Sequence, residues 1–163
     1  MKRVRAFKFS IVDAFCWVAC GVIFLTAVAK VQALVSGAKL LVYSDPVFGV
    51  DNRIVLQGAV ALEMATIVIC AISTKSVLRL TAIGAFGSIV LAYRLALIVV
   101  GFKGWCTCLG NYGQTLFEDP SVQSKWLMIL AVLLFAVPIL FLTFSLFDRK
   151  KRSLHSEYSM LYK

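Results

Sequence analysis

A chain of 163 residues that is 61% hydrophobic, with a mean hydropathy of +0.90, carries more apolar side chains than a water-soluble domain of this size can enclose in a core. Seventeen lysines and arginines against eight acidic residues give a net charge of +9, but the cations bracket the apolar runs, which points to topology signals and anionic lipid and away from nucleic acid. Four spans of about 20 residues each use roughly half of such a chain and exclude a separate soluble domain.

The first apolar run, 11–35, follows the basic head Lys2, Arg3, Arg5 and Lys8. A secretory signal peptide has the same order of features, and Ala27-Val28-Ala29 imitates a cleavage site. The uncharged stretch 14–29 is long for a signal's apolar region, however, so the run reads as a retained helix. The second run, 54–73, is interrupted only by Glu63, and the third, 80–102, only by Arg94. The fourth, 126–147, holds no charge, and its Pro138 is tolerable in a membrane helix, where neighbours re-satisfy the freed carbonyl. Turn formers punctuate the connections at Asp45-Pro46, Asn111-Tyr112-Gly113 and Asp119-Pro120. The tail 148–163 is basic and expected to be loosely ordered.

Lys2, Arg3, Arg5, Lys8, Lys75, Arg79, Arg149, Lys150, Lys151, Arg152 and Lys163 fall on one side of these spans, and only Lys39, Arg53, Lys103 and Lys125 on the other. The richer side is expected to be cytoplasmic. The expected fold is therefore an all-α, four-transmembrane-helix bundle with both ends in the cytoplasm, multi-pass in a bacterial inner membrane, with Trp105 and Trp126 at the outer interface.

Lys30, Glu63 and Arg94 lie within three different spans, and a lone charge at bilayer depth costs about 2.5–3.5 kcal/mol even on lenient scales. Helical spacing puts Ala59, Glu63, Thr66 and Cys70 on one face of the second span and Gly84, Gly87, Arg94 and Gly101 on one face of the third. On the first, Cys16, Cys20, Ala27 and Lys30 recur together. Small residues on these stripes allow close approach, so a buried Lys30, Glu63 and Arg94 cluster is expected. The plainer alternative is that Glu63 neutralises Arg94 while Lys30 snorkels to the outer headgroups. The cluster reading leaves a positive field near the outer face that favours a thiolate or attracts an anionic or quinone-like headgroup.

Cys16, Cys20 and Cys70 fall in the cytoplasmic halves of their spans, where cysteine is ordinarily a small inert packing residue; a reducible or palmitoylated set is the alternative. Cys106 and Cys108 differ, because Gly101-Phe-Lys-Gly-Trp-Cys-Thr-Cys-Leu-Gly-Asn places them in a glycine-rich turn at the outer interface. Residues two apart span at most ~7 Å, so a bond between them demands a tight turn and is expected to be strained and readily reduced. A static disulfide and two free loop thiols remain open as alternatives. Two thiolates with a single histidine, His155, on the opposite side do not make a tetrahedral metal site, so no metal is expected.

Ala29-Lys30 at the end of the first span, Glu63 in Ala61-Leu62-Glu63-Met64, and Cys106-Thr-Cys108-Leu-Gly110 after the third resemble, in this order, the MauE branch of the MauE/DoxX family of small redox-associated membrane proteins. The likeness covers about residues 11–145; Leu109 departs from it, standing where that branch has an aromatic residue. The resemblance implies a four-helix inner-membrane bundle linked to disulfide chemistry in the maturation of a periplasmic protein, as in methylamine utilisation. The DoxX side of the family adds quinone as the candidate cofactor. The expected function is thiol–disulfide exchange by Cys106 and Cys108 with a periplasmic redox or client protein. The alternative is an accessory subunit of a larger membrane complex, braced by a static Cys106–Cys108 bond. Transport is weaker, because no inverted repeat or broken helix pair is evident.

Overall fold

The computed structural model describes residues 2–37, 39–102 and 119–161. Cys106, Cys108 and Trp105 lie outside the described residues. The four helices are α1 (Lys2–Val35), α2 (Asn52–Ile72), α3 (Ser76–Val99) and α4 (Pro120–Leu161), with a short 3-10 turn at Lys39–Val42. Each contains a segment long and apolar enough to cross a membrane: Ile11–Val35, Asn52–Ile72, Ser76–Val99 and Ser121–Ser145. The chain is an all-α, multi-pass membrane protein. Four crossings put the start of α1, the α2–α3 turn and the end of α4 at one end of the bundle, here the basic end, and the long connections at the other, the far end.

Several helix boundaries differ from the sequence expectation, α4 among them, which starts at Pro120 and not at 126. α4 continues past 147 as helix to Leu161. α3 ends at Val99 and not at 102, because Gly101 (φ +73°) closes a Schellman turn in which the Phe102 amide donates to the Leu97 carbonyl and the Gly101 amide to Ile98, each at 3.0 Å. Gly101 is thus a helix stop and no part of the Arg94 face. At the start of α4 the Asp119 carboxylate accepts the Ser121 amide at 2.7 Å, ahead of Pro120 in the first helical position.

Lipid explains the surface. Trp17, Leu25, Ile72, Val99 and Leu140 are each more than 60% exposed, an arrangement that is unfavourable in water and ordinary against acyl chains. The interior is built as two antiparallel helix pairs, α1 with α2 and α3 with α4; contacts between the pairs, α2 to α3 and α1 to α3, are sparser. The α3–α4 pair is close because of Gly87. A Cβ there would lie 2.7 Å from the carbonyl carbon and 2.8 Å from the carbonyl oxygen of Leu134. Leu134 is four residues before Pro138, whose missing N–H deprives that carbonyl of its helical donor. The helix-breaking residue and the glycine therefore meet at one contact. Next to it Gly84 faces the Pro138 ring, with 3.3 Å available to a Cβ. Cys16, Ala19, Ile23, Cys70, Leu80, Ile83, Phe86 and Leu134 form the core.

Candidate functional site

The looser contact between the two pairs leaves a cavity of about 360 Å³, which all four helices line. Its walls are apolar, among them Val22, Leu62, Phe86, Val90, Leu130 and Leu134; the polar side chains reaching it are Thr26, Lys30, Glu63, Tyr93 and Arg94. Lys30 is five residues from the far end of α1 and Arg94 five from that of α3, each about 7.5 Å below it at 1.5 Å per residue, while Glu63 is near the middle of α2.

Lys30, Glu63 and Arg94 are 6%, 2% and 5% exposed, so none reaches solvent or headgroups. The Lys30 ammonium pairs with Glu63 Oε1, and the Thr26 hydroxyl donates to the same oxygen at 2.9 Å. This corrects the alternative in which Glu63 neutralises Arg94 and Lys30 snorkels. Lys30 is the partner, because the α1–α2 pair brings their stripes together. Arg94 forms no ion pair among the described residues. Its Nε and Nη2 are buried without a hydrogen-bond partner, as is Glu63 Oε2. Unpartnered buried polar atoms are rare enough in native proteins to require a reason. Here two donors and one acceptor stand on the walls of one cavity with a net charge of one positive unit. Nε and Nη2 share an edge of the guanidinium and form a two-pronged donor.

The far mouth is shaped by the 43–52 loop, whose part the sequence reading missed. Asp45, 1% exposed, accepts the amides of Val47 (2.8 Å) and Phe48 (2.9 Å) on Oδ1 and the Tyr93 hydroxyl on Oδ2 at 2.5 Å. Its own amide donates to Val50 and its carbonyl accepts Gly49, which occupies φ +66°. The loop folds around the carboxylate. Phe48, thereby positioned, stacks on the Tyr93 ring at 5.8 Å and 8° and lines the cavity with it. The signal was present as Asp45-Pro46 in the loop and Tyr93 beside Arg94, but without knowing that the loop returns to α3 the aspartate reads only as a turn former.

At the basic end Cys16, Cys20 and Cys70 are free thiols, and Cys16 and Cys70 are 2% and 6% exposed. Such burial leaves those two no surface for palmitoylation. Among the described residues no group of three or more His, Cys, Asp or Glu is placed to hold a metal.

The walls carry unpartnered donors on Arg94 and an unpartnered acceptor on Glu63, a set able to hold a headgroup that presents an acceptor, a donor or both. The volume lies within the range of small-molecule sites, and the remaining lining suits a ring and an apolar tail. Comparison with known families, curated proteins and solved structures finds no match to this chain.

Proposed function

We propose that this chain is a thiol–disulfide redox protein of a bacterial inner membrane, in which Cys106 and Cys108 exchange with a periplasmic partner or client during its maturation and the bundle cavity takes a quinone headgroup. The observation that carries the reading is the pairing of the unpartnered Arg94 fork and Glu63 oxygen on one apolar cavity toward the far end of the bundle. The motif begins seven residues beyond the end of α3, the helix that bears Arg94.

Oxidising two thiols to one disulfide releases two electrons and two protons; a quinone, when bound, supplies a two-electron, two-proton acceptor. Arg94 would hold a headgroup oxygen with its two donor atoms, Lys30 would hold Glu63 Oε1 while leaving Oε2 available, and Glu63 Oε2 would accept a hydrogen bond from the headgroup. Phe48 and Tyr93 would narrow the mouth and exclude water.

The test is a disulfide-maturation assay in intact cells, paired with reduction of a short-chain quinone analogue by the reconstituted protein with dithiothreitol as electron donor. Cys106→Ser and Cys108→Ser are expected to abolish both. Arg94→Gln is expected to raise the KM for the analogue about tenfold or more, as loss of a charge-assisted hydrogen bond would. Full activity in both cysteine variants would overturn the redox role. An unchanged KM in Arg94→Gln would remove quinone from the cavity.

A further inference from the structure

The cavity that Arg94 and Glu63 face is open on one side. Of the residues that line it only Phe48, Gly58 and Ile89 are exposed, Phe48 by 60% and Ile89 by 51%, while every lining residue of α1 and α4 is buried or half-buried. Among the described residues the opening therefore lies between α2, which carries Gly58, and α3, which carries Ile89, with Phe48 at its far edge. Chain connectivity gives the reason. The turn 73–75 joins α2 and α3 at the basic end, where Cys70, Leu80 and Ile83 share the core and the Arg79 Nε donates to the Ser73 carbonyl at 2.6 Å. Beyond the turn α2 packs on α1, through the Lys30–Glu63 pair and the Ala33–Leu56 contact, and α3 packs on α4 through Gly87. The two arms are pinned at their turn and committed to different partners above it.

Depth decides what passes such an opening. Gly58 lies six residues inside the far end of α2 and Ile89 ten inside that of α3, about 9 and 15 Å below it at 1.5 Å per residue. Both levels fall within a hydrocarbon core about 30 Å thick, so the opening faces acyl chains and not water. Its three exposed residues carry no polar side chain. At Gly58 a Cβ would have no neighbour within 4 Å, which leaves bare backbone and empty space beside the gap. The cavity, at about 360 Å³, is near the lower end for small-molecule sites, with room for a headgroup and none for a long tail as well. The unpartnered Arg94 donors and Glu63 acceptor stand inside the same walls.

We propose that the gap between α2 and α3 beneath Phe48 is a lateral portal for a tailed amphiphile. The headgroup passes from the bilayer into the cavity, and the apolar tail stays between Gly58 and Ile89 and runs on into the lipid. The proposal rests on the quinone reading of the cavity and sharpens it: the ligand is a long-tailed quinone drawn from the membrane, and not a water-soluble one. Gly58 is the position that sets this preference, because the missing side chain keeps the path of the tail open. Phospholipid acyl chains share the tail's chemistry, so the test separates the two sources.

The experiment uses the full-length protein in detergent micelles and two benzoquinones with the same ring, one bearing a decyl tail and the other a methyl group in its place. Equilibrium dialysis gives the Kd of each. Gly58→Phe builds a ring into the gap. Gly21→Phe adds the same ring to an exposed glycine of α1 that likewise has no neighbour within 4 Å and does not line the cavity. The preference for the tailed over the tailless quinone is expected to fall about tenfold or more in Gly58→Phe, as obstruction of a packed group would produce, and to keep its native value in Gly21→Phe. Because a ring at position 58 can also turn into the cavity, the native protein is photolabelled with the same quinone carrying a diazirine in its tail. Labels are expected on the stretches 54–62 of α2 and 85–93 of α3, and an excess of the decyl quinone, but not of a decanoyl phospholipid, is expected to remove them. Labels on α1 or α4 instead, or an unchanged preference in Gly58→Phe with both affinities intact, would overturn the portal and leave the headgroup site standing. Labels removed equally by the phospholipid would make the gap a general lipid groove and overturn it as a quinone portal. A native protein that binds neither quinone would remove the headgroup site, and the portal with it.

Discussion

Replacing Glu63 by Gln isolates the cost of the buried charge pair. The amide keeps an oxygen for the Thr26 hydroxyl, so what is lost is the charge facing Lys30, whose side chain is 7% exposed against 2% for Glu63. With so little solvent, screening does not soften the change. A lone cation at bilayer depth costs about 2.5–3.5 kcal/mol, and breaking a buried pair by removing one partner costs about 3–5 kcal/mol. The expected loss is about 3 kcal/mol, roughly two powers of ten in the folding equilibrium. Lys30→Met/Glu63→Gln removes both charges and restores the wild-type net charge around Arg94, so it should recover to within about 1 kcal/mol of the native protein, a strong departure from additivity. Reversible dodecyl sulfate titration in mixed micelles, followed by tryptophan fluorescence and helical circular dichroism, measures both. A loss below about 1 kcal/mol in the single variant, or a double variant that falls by the sum of the two singles, would refute the reasoning.

Gly87→Ala should cost about 1–3 kcal/mol in the same titration, because its Cβ would meet Leu134 backbone at 2.7 Å and backbone cannot rotate away; Gly84→Ala, facing the Pro138 ring at 3.3 Å, should cost less, and equal costs would contradict the close contact. Asp45→Ala removes the acceptor of the Val47 and Phe48 amides and of Tyr93, so hydrogen exchange at Val47 and Phe48 should accelerate at least tenfold; unchanged exchange would mean that the loop holds itself. Asp119 is held below the usual carboxylate range, first by the Ser121 amide and then by its hydroxyl. Since the folded value is the lower one, the cap is fully present above the ordinary carboxylate value and is lost as pH falls through the depressed one. Protection of the Ser121 amide, its exchange rate measured against the intrinsic rate at the same pH, should therefore fall on acidification in the native protein and show no such step in Asp119→Ala.

The Lys30, Glu63 and Arg94 stripes were legible because a charge inside an apolar run stands out and because 3.6-residue spacing groups it with small residues. Which cation meets Glu63 was not legible. Spacing assigns Glu63 to a face of α2 but leaves undecided which helix that face looks at, and α1 and α3 offered one cation each. Gly101 misled for a related reason: it continues the Gly84–Gly87 spacing, yet its backbone sits at φ +73° and terminates α3. Asp45 carried no periodic signal, since its importance comes from long-range contact with Tyr93. Cys20 and Cys70 are 50 positions apart and line one small crevice only through the α1–α2 pairing.

By itself the sequence determined that this protein lives in lipid, that it crosses four times, and that its cations gather at one end. Those properties are sums over local stretches of chain: hydropathy over about 20 residues, and charge counts in the flanks. Tertiary structure alone decided that the bundle forms two tight pairs with a cavity between them, that Lys30 partners Glu63 while Arg94 keeps two free donors, and that Asp45 anchors the mouth. The reason is that contacts across helices depend on axial rotation and neighbour choice, which rest on close approaches such as Gly87 against Leu134 and do not add up along the chain.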